Sequence, residues 1–575
     1  MTVFGAAAQR QGVHFGPSGL SASALISRSA IVHTDFSDPT SMFVGLDGSG
    51  GNPNPGDPVG LVLNKAGMGG QTAEAYIARL PNLAGTVDSE NSWTQVGSNG
   101  AGTITFGSKI TLNNVGGDNA VLQQDLVDVQ PGDWVRLKIV IASNQTSLSG
   151  FQVQLRDSDT PNTVDEYISQ PSANHIGEWT LFRKFEGTGN LMIWAVVNGS
   201  QTDLSVSLSD VEYHRIPGEH LKAPSTNQKP VLRKWPLTDR RNLHPYSGVA
   251  TLSSSGMLNP SNTNGVSSSL VGSGEENGLP YIDVRFQGTT TNVFHVAYFE
   301  IFFGTSVSGQ TITQSVYTKL VGGTTDNITA IKHRCEPSAT TVFDNVSLSL
   351  TEELVRTEQT GTAVNNNTNN SYGIALTFPS GVAIDITIRI AAPQIEVGTT
   401  PTPYQAVYNE NHIEEAGVPS VYSLVFEVDD GLQFGGVPIN TGLSIFLGLN
   451  PDDAHYIPIS QSAAQWVAFR ENEHTQLISP DWSTLGPSVF VNGEDAGSTR
   501  ASGWSAVPQK TFSVVEYKDV STPNSNGWEL GYFPNSAIWN LNGQISGLTM
   551  IPTSAMTNAM RRVTETLMNK QAGIQ

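Results

Sequence analysis

Short stretches in which hydrophobic and polar residues alternate, separated by turns rich in Gly, Asn and Asp, fill most of this chain. The clearest is DWVRLKIV at residues 133–140, where Val135, Leu137 and Ile139 lie on one side of an extended strand and their neighbours on the other. Between residues 81 and 217 such stretches recur about every ten residues, a spacing typical of an antiparallel β-sandwich. The pattern predicts a first sandwich over residues 81–217.

The same alternation returns in two further blocks. In residues 231–405 it is less regular, but RRNL at residues 240–243 is similar to RLPNL at residues 79–83, and residues 391–396 match residues 208–212 in position and alternation. We interpret these matches as an internal duplication of one sandwich. Residues 417–575 form a third β-rich block, in which Asn492 and Gly493, between two alternating stretches, predict a tight hairpin.

The first eighty residues differ from the three β-rich blocks. Gly, Pro, Asn and Asp recur there too often for regular structure, while Phe36, Phe43 and Leu63 supply scattered hydrophobic side chains. We therefore expect residues 1–80 to be an irregular segment that becomes stable only when a partner covers those side chains. A threefold assembly of identical chains would cover them.

A helix closes the chain, with apolar residues spaced along one face. Its caps predict a start at Thr553 or Ser554 and an end at Gly573. The expected fold class is therefore all-β, with an irregular N-terminal segment (1–80), three sandwiches (81–217, 231–405 and 417–575) and a short C-terminal helix.

Charge and cysteine content narrow the function classes. Among 575 residues, Lys and Arg total 30 and Asp and Glu total 51, a net charge of −21 that disfavours nucleic acid or an anionic membrane as the main partner. Only one cysteine, Cys335, is present, which excludes an intrachain disulfide framework and a cysteine-based zinc site. No signal peptide or long apolar run is visible, so we expect a soluble protein made in the cytosol.

The sequence contains no motif for catalysis, since HExxH, GxSxG, P-loop and dinucleotide-binding patterns are all missing. We therefore expect that the protein is not an enzyme and needs no cofactor. Asp47, Asp57 and Asp118 lie in Gly- and Asn-rich loops whose oxygen atoms could hold calcium, although no calcium-loop spacing supports this.

Aromatic residues within turns are the best candidates for binding. Trp482, Trp504, Trp528 and Tyr246 lie among small and polar residues, where a ring could stack on a sugar beside amide and carboxylate groups. The alternative for each is packing beneath a loop. We place glycan binding in the C-terminal block because three of the four residues lie there.

Three passages resemble modules of bacteriophage and prophage fibre or structural proteins. They are GDPVGLVLNKAGMGG at residues 56–70, APQIEVGTTPTPYQ at 392–405, and WNLNGQISGLTMIPTSAMTNAMRRVTETLMNKQAG at 539–573. The second closes sandwich modules in such proteins, and both middle blocks look like jelly-roll carbohydrate-binding modules. The third is similar to the final strand and helix of concanavalin A-like (laminin-G-like) lectin domains.

Together these resemblances imply a virion appendage. Its N-terminal segment would attach to other virion proteins, and its sandwiches would bind host cell-surface polysaccharide as a fibre or spike subunit, commonly a homotrimer. Two alternatives stay open: a purely architectural decoration or baseplate protein, and a capsule or lipopolysaccharide depolymerase. No active-site motif carries over from these families, so no catalytic residue is assigned.

Overall fold

The structure, a computed structural model, describes most of the chain. The described residues are 14–15, 20–21, 24, 26, 29–84, 93–95, 103–113, 120–126, 133–144, 151–157, 167–169, 176–184, 191–197, 205–216, 218, 220–249, 259–260, 262–263, 265–291, 295–303, 307–337, 348, 350–363, 366, 370–427, 429–435, 442–451, 455–462, 465–470, 488–497, 506–507, 511–520, 528–531 and 541–574.

The chain divides into two compact units, which we describe separately. Residues 1–232 and 422–575 form the terminal unit, and residues 233–421 form the central unit. The terminal unit begins with short elements: β1 (His14–Phe15), β2 (Leu20–Ser21), β3 (Val32–His33), β4 (Met42–Phe43), β5 (Leu61–Val62) and the helix α1 (Ala73–Ile77).

The first sandwich of the terminal unit follows. Its strands are β6 (Thr94–Gln95), β7 (Thr103–Thr105), β8 (Ile110–Asn113), β9 (Ala120–Leu126), β10 (Trp134–Asn144), β11 (Phe151–Asp157), β12 (Tyr167–Ser169), β13 (Gly177–Lys184), β14 (Leu191–Val197) and β15 (Ser205–Ile216). They form two antiparallel sheets, in the orders β13-β10-β15-β8-β7 and β12-β11-β14-β9-β6. Val135, Leu137 and Ile139 are buried in the core, which confirms the side of β10 that the alternation predicts.

The central unit is also a sandwich. After β16 (Leu221–Lys222), a strand of the terminal unit, the strands are β17 (Val231–Pro236), β18 (Asn259–Pro260), β19 (Asn262–Thr263), β20 (Val266–Glu276), β21 (Leu279–Thr289), β22 (His295–Phe303), β23 (Thr311–Gly323), β24 (Ala330–Pro337), β25 (Val355–Thr362), β26 (Asn370–Phe378), β27 (Ala383–Val397), β28 (Gln405–Asn409) and β29 (His412–Glu415). The two main sheets have the orders β25-β23-β27-β21-β20-β19 and β24-β26-β22-β18.

The two sandwiches share one topology. In chain order, β8 to β11 correspond to β21 to β24, and β13 to β15 correspond to β25 to β27. With this correspondence, the sheet β13-β10-β15-β8 matches β25-β23-β27-β21, and β11-β14-β9 matches β24-β26-β22. The common strand order supports the duplication that the sequence indicates.

The C-terminal sandwich belongs to the terminal unit. Its elements are β30 (Ser420–Phe426), β31 (Leu432–Phe434), β32 (Leu443–Pro451), β33 (His455–Ser462), β34 (Gln465–Arg470), β35 (Ser488–Val491), β36 (Glu494–Gly497), β37 (Ser513–Val520), β38 (Trp528–Leu530), β39 (Gly543–Pro552) and the helix α2 (Asn558–Ala572). One sheet runs β30-β39-β32-β37-β35-β36, and β3 pairs with β39. The other sheet runs β34-β33-β38-β31-β16-β5-β4, so N-terminal strands complete it.

The N-terminal residues are therefore part of a sandwich rather than a separate segment. Phe36 is fully buried in the C-terminal core beside residues of β31, β32 and β39. Leu63 and Phe43 pack against the first sandwich instead, with the rings of Phe43 and Phe182 4.5 Å apart. The expectation that a threefold assembly covers these three side chains is corrected, because other parts of the same chain already cover them.

The GDPVG motif at residues 56–60 allows two chain segments to come close together. A Cβ atom on Gly60 would lie 2.6 Å from the carbonyl carbon of Gly45, a distance that no side chain tolerates. The backbone N–H of Gly60 donates to the carbonyl oxygen of Phe43 at 2.8 Å. Glycine is therefore required here for the pairing of β4 with β5.

Two local predictions in the C-terminal block can be compared with the structure. Asn492 and Gly493 both have positive φ, 51° and 83°, and join β35 to β36, which confirms the predicted hairpin. Helix α2 ends at Gly573, as predicted, but its N-cap is Thr557, whose hydroxyl accepts from the N–H of Met560. The predicted start at Thr553 or Ser554 is wrong because Thr553–Ala555 form a separate 3₁₀ turn.

Apart from α2 and short helical turns, the described residues are almost all strand, turn or loop, which confirms the all-β fold class. No helix among these residues is both long and apolar enough to span a membrane.

Candidate binding cleft

A cleft of about 850 Å³ lies within the central unit, a volume in the range of small-molecule sites. It is lined by residues from the turn between β20 and β21, from β23 and β25, and from the segment that follows β27: Asn277, Gly278, Leu279, Tyr317, Arg356, Pro401, Thr402, Pro403, Tyr404, Ala406, Tyr408, Glu414, Glu415 and Ala416. Tyrosine and proline rings make up much of this wall.

The position of Tyr317 follows from strand alternation. Its neighbour Val316 is fully buried in the core between the two sheets. Because successive side chains point to opposite faces, Tyr317 lies on the outer face of the β25-β23-β27 sheet. Tyr317 pairs with Arg356 across β23 and β25, so a ring and a cation lie side by side at the cleft.

Buried amide side chains fix the opposite wall. The backbone N–H of Gln405 donates to Oε1 of Gln394 at 2.7 Å, and Oε1 of Gln405 accepts from the backbone N–H groups of Arg241 and Asn242. Both glutamines are fully buried. These residues come from the passage APQIEVGTTPTPYQ, so the motif anchors the segment that carries Tyr404 and Tyr408.

The Arg356 guanidinium is held in a fixed orientation. Its Nη2 donates to Oγ of Ser315 and to the carbonyl oxygen of Thr402, both at 2.8 Å. Its Nε lies 3.7 Å from a carboxylate oxygen of Glu358, and its Cζ lies 5.9 Å from the centre of the Tyr317 ring. Because two of the five N–H donors are used in this way, donors remain for a ligand.

The two carboxylates of the cleft are both paired. Glu414 forms an ion pair with Lys234 and lies 3.1 Å from Nε2 of His412. Burial alone would raise the pKa of Glu414, but the hydrogen bonds from Lys234 and His412 outweigh it and hold the pKa below its usual range. The pKa of Glu415 is also lowered, since hydrogen bonds from Thr238, Arg241 and Gln405 outweigh burial. Both groups are therefore charged at neutral pH.

The pKa values of two tyrosines of the cleft are raised. Burial, then the charges of Glu414 and Glu275, raise the pKa of Tyr408, so its hydroxyl stays protonated and can donate. The ring of Tyr408 lies 4.5 Å from that of His412. Tyr404 donates from its hydroxyl to the carbonyl oxygen of Ser247 at 2.6 Å, and burial raises its pKa.

The first sandwich differs at the matching place. Tyr213 and Ile395 are equivalent, because the backbone N–H of each donates to the asparagine at the start of its sandwich, Asn82 or Asn242. Their strand partners are Leu137 and Gln314. Three residues further along, Val140 and its partner Glu178 correspond to Tyr317 and its partner Arg356. An aliphatic side chain and a carboxylate there provide neither the ring nor the cation. The Tyr–Arg pair is therefore a difference between the two copies.

The sequence-predicted glycan residues are not brought together at this cleft. Trp528 lies on β38 with its ring buried in the C-terminal core, 1% exposed, and stacked 6.4 Å from Phe434. The prediction that Trp528 offers an open ring face to a sugar is therefore wrong, because its ring packs in the core. Tyr246 is 39% exposed but does not line the cleft. Trp482 and Trp504 lie outside the described residues.

The described aspartates that could have held calcium form hydrogen bonds within their own loops. Asp47 accepts hydrogen bonds from the backbone N–H and hydroxyl of Ser49, and Asp57 accepts from the backbone N–H of Asn54. Asp118 lies outside the described residues. Across the described ranges, no group of three or more His, Cys, Asp or Glu side chains is placed to share a metal ion.

Sequence reasoning missed the residues of the cleft. Tyr317 and Arg356 lie in ordinary strands, and only their pairing across two strands brings them together. Tyr404 and Tyr408 did carry a signal, because Tyr404 lies in the closing motif after Pro401 and Pro403 and Tyr408 follows the motif by three residues. An Asn-Gly turn at residues 277–278, with φ of 57° and 75°, was a second hairpin signal at the rim of the cleft.

No protein-family model matches the chain, and no curated protein does. Among solved structures, the enzymatically active domain of tailspike protein 4 from bacteriophage CBA120 is 20% identical over 24% of this chain and 22% of that one, with a TM-score of 0.20. The N-terminal CBM22-1–CBM22-2 tandem domain of Xyn10C from Paenibacillus barcinonensis is 11% identical over 56% of this chain and 97% of that one, with a TM-score of 0.22.

The chain thus spans about a fifth of the length of the tailspike structure that it matches.

Proposed function

We propose that this protein is a component of a phage virion, a fibre or spike subunit, that binds host-surface glycans through the cleft of the central unit. The observation that carries the proposal is the juxtaposition of three tyrosine rings with Arg356 and Glu414 in one cleft. Rings provide apolar surface for a sugar ring, while a guanidinium and a carboxylate provide donors and acceptors for its hydroxyl groups.

The charge balance of the cleft favours a ligand without strong net charge. Glu414 is paired with Lys234, Glu415 with Arg241, and Arg356 with Glu358. A charged ligand would therefore compete with ion pairs that already exist, whereas neutral hydroxyl groups can bind to the remaining donors and acceptors. The net charge of −21 on the whole chain adds to the cost of an acidic polymer.

Binding rather than catalysis is the proposed role. A glycosidase needs one carboxylic acid that keeps its proton near neutral pH. Both cleft carboxylates have lowered pKa values, so neither serves as that acid. The depolymerase alternative therefore gains no support from the cleft.

The remaining parts of the proposal concern the particle. The resemblance of residues 56–70 and 392–405 to phage fibre proteins supports a virion location, contacts with other virion proteins and a homotrimer. Since the hydrophobic residues of the N-terminal segment are buried within the chain, attachment would use its exposed surface rather than Phe36 or Leu63. The purely architectural alternative differs in one respect: it needs no glycan.

A glycan array tests the proposal. The purified full chain is applied to neutral, amino and acidic bacterial polysaccharides, beside a Tyr317→Ala variant. We expect binding to a neutral polysaccharide that the variant loses in large part. Absence of binding to every polysaccharide, with correctly folded protein, would favour the architectural alternative.

A further inference from the structure

Two buried histidines hold the N-terminal segment in the terminal unit, and both bond near one residue, Asn64. The imidazole Nδ1 of His220 accepts from the backbone N–H of Asn64 at 3.1 Å. Oδ1 of Asn64 accepts from the backbone N–H of His33 at 2.9 Å, and its Nδ2 donates to the carbonyl oxygen of Ile31. Asn64 thus ties β3 to His220, the residue directly before β16.

Each histidine also reaches a different part of the unit. His33 lies on β3, with its Nδ1 3.0 Å from the hydroxyl of Thr549 on β39. The ring of His220 lies 4.9 Å from the ring of Trp134, the first residue of β10 in the first sandwich. The contacts of the two imidazoles therefore connect the N-terminal segment to the C-terminal sandwich and to the first sandwich.

Neither imidazole ring has surroundings that would stabilise a positive charge. Both histidines are 1% exposed, and within the described part of the chain the Nε2 atoms of both rings have no hydrogen-bond partner. Because Nδ1 of His220 accepts from an N–H, a proton added there would face another proton. An uncompensated buried charge is costly, so opening relieves it.

Burial lowers the pKa of both histidines, and the neighbouring charges change this only in part. Burial lowers the pKa of His33 to about 4, with Asp35 raising it and Lys65 lowering it by smaller amounts. Burial and the charge of Lys184 lower the pKa of His220 to about 3. The ordinary pKa of an exposed histidine is about 6.5, so between these limits the open form binds more protons than the closed one.

We propose that His33, Asn64 and His220 form an acid-sensitive clasp, which holds residues 31–66 in place at neutral pH and opens on acidification while the long strands β10 and β32 keep their pairing. The C-terminal sandwich responds to acid in the opposite direction. Burial raises the pKa of Asp430 to about 6 and raises those of Glu516 and Glu529, so protonation of these carboxyl groups stabilises the sandwich. Acid therefore loosens the clasp selectively.

The size of the effect follows from proton linkage. Each histidine makes opening up to about tenfold more favourable per pH unit, so two make it up to about a hundredfold. Between pH 7.5 and 4.5, the opening equilibrium should shift by a factor on the order of 10³–10⁴.

Hydrogen–deuterium exchange of the full chain tests the clasp, with each rate divided by the intrinsic rate at the same pH. From pH 7.5 to 4.5, protection in residues 31–66 should fall by that factor while β10 and β32 keep theirs. In a His33→Asn/His220→Asn variant, which keeps an acceptor near each Nδ1 but cannot be protonated, this loss should disappear. His333→Asn, which removes a buried histidine of the central unit, serves as the matched control and should leave the loss in residues 31–66 unchanged.

Three results would overturn the proposal: unchanged protection in residues 31–66 at pH 4.5, equal loss in all sandwiches, or an acid response that persists in the double variant. If the double variant fails to fold, the single variant His220→Asn tests the proposal in its place. It should reduce the dependence on pH from about two protons to about one, and an unchanged slope would contradict the clasp.

Discussion

Asn82 and Asn242 make the same hydrogen bonds at the start of two different sandwiches. Each Oδ1 accepts from the backbone N–H two residues later and from a backbone N–H on the last main strand, that of Tyr213 or Ile395. Each Nδ2 also donates to the carbonyl oxygen two residues before that strand position, at Val211 and Pro393 respectively. This shared closure explains why the NL sequences at residues 82–83 and 242–243 recur.

Asn242→Ala should destabilise the central sandwich by about 2–4 kcal/mol, because buried backbone groups lose their partners, and Asn82→Ala, at an exposed position, should destabilise the first sandwich by about 1 kcal/mol. Exchange measurements should show loss of protection in β15 for Asn82→Ala and in β27 for Asn242→Ala. Asn327→Ala, at an exposed loop position, is the control and should have little effect. Equal loss in both sandwiches from one substitution would contradict a separate closure for each copy.

Trp528 should contribute to stability rather than to glycan binding. Because its ring fills the core of the C-terminal sandwich, Trp528→Ala should cost about 3–5 kcal/mol of unfolding free energy. Urea denaturation measures this cost, and hydrogen exchange in β31 and β38 shows where protection is lost. A stable variant that loses glycan binding instead would return the site to the C-terminal block, as the sequence suggested.

Lys65 stabilises the N-terminal segment through an ion pair that is almost fully buried. Its Nζ lies 3.2 Å from Asp35 and 2.9 Å from Asp38, with 4% of its side chain exposed. Lys65→Ala would leave two carboxylates without their cation, at a cost of about 3–5 kcal/mol. Limited proteolysis at neutral pH should then cut within residues 31–80, whereas Lys222→Ala, at an exposed position, should resist cleavage.

Asp430 gives a second dependence on pH. Burial raises its folded-state pKa to about 6, so its contribution is fully present below the unfolded pKa and is lost as pH rises through 6. Asp430→Asn should remove this term and should be at least as stable as the wild type at pH 7. The difference between the two unfolding free energies, measured from pH 4 to 7, should vary by up to about 1.4 kcal/mol per pH unit; a constant difference would contradict the raised pKa.

Local patterns in the sequence identified most strands but not how distant strands combine. The alternation in β10 and the Asn-Gly turn at residues 492–493 depend only on neighbouring residues, and both are confirmed. By contrast, His33 and Thr549 contact each other across 516 positions, so no local pattern could show that the N-terminal residues complete the C-terminal sandwich.

The candidate site was less accessible to sequence reasoning for a similar reason. Turn-forming residues around Trp528 indicated an open loop, whereas the ring begins a strand and points into the core. Tyr317, Arg356 and Tyr408 come from separate elements, and only the sheet register and the buried amide network bring them together. Residue types alone identified the chemistry of aromatic and polar contacts but not its location.

The most direct test of the account is the dissociation constant of the full chain for the neutral polysaccharide that binds best, compared with Tyr408→Ala and Tyr246→Ala. Tyr408 lines the cleft, whereas Tyr246 is an exposed tyrosine of the same unit outside the lining. The account predicts about tenfold weaker binding, ~1.4 kcal/mol, for Tyr408→Ala and no change for Tyr246→Ala. Unchanged binding by a folded Tyr408→Ala variant, or a loss confined to Tyr246→Ala, would contradict it.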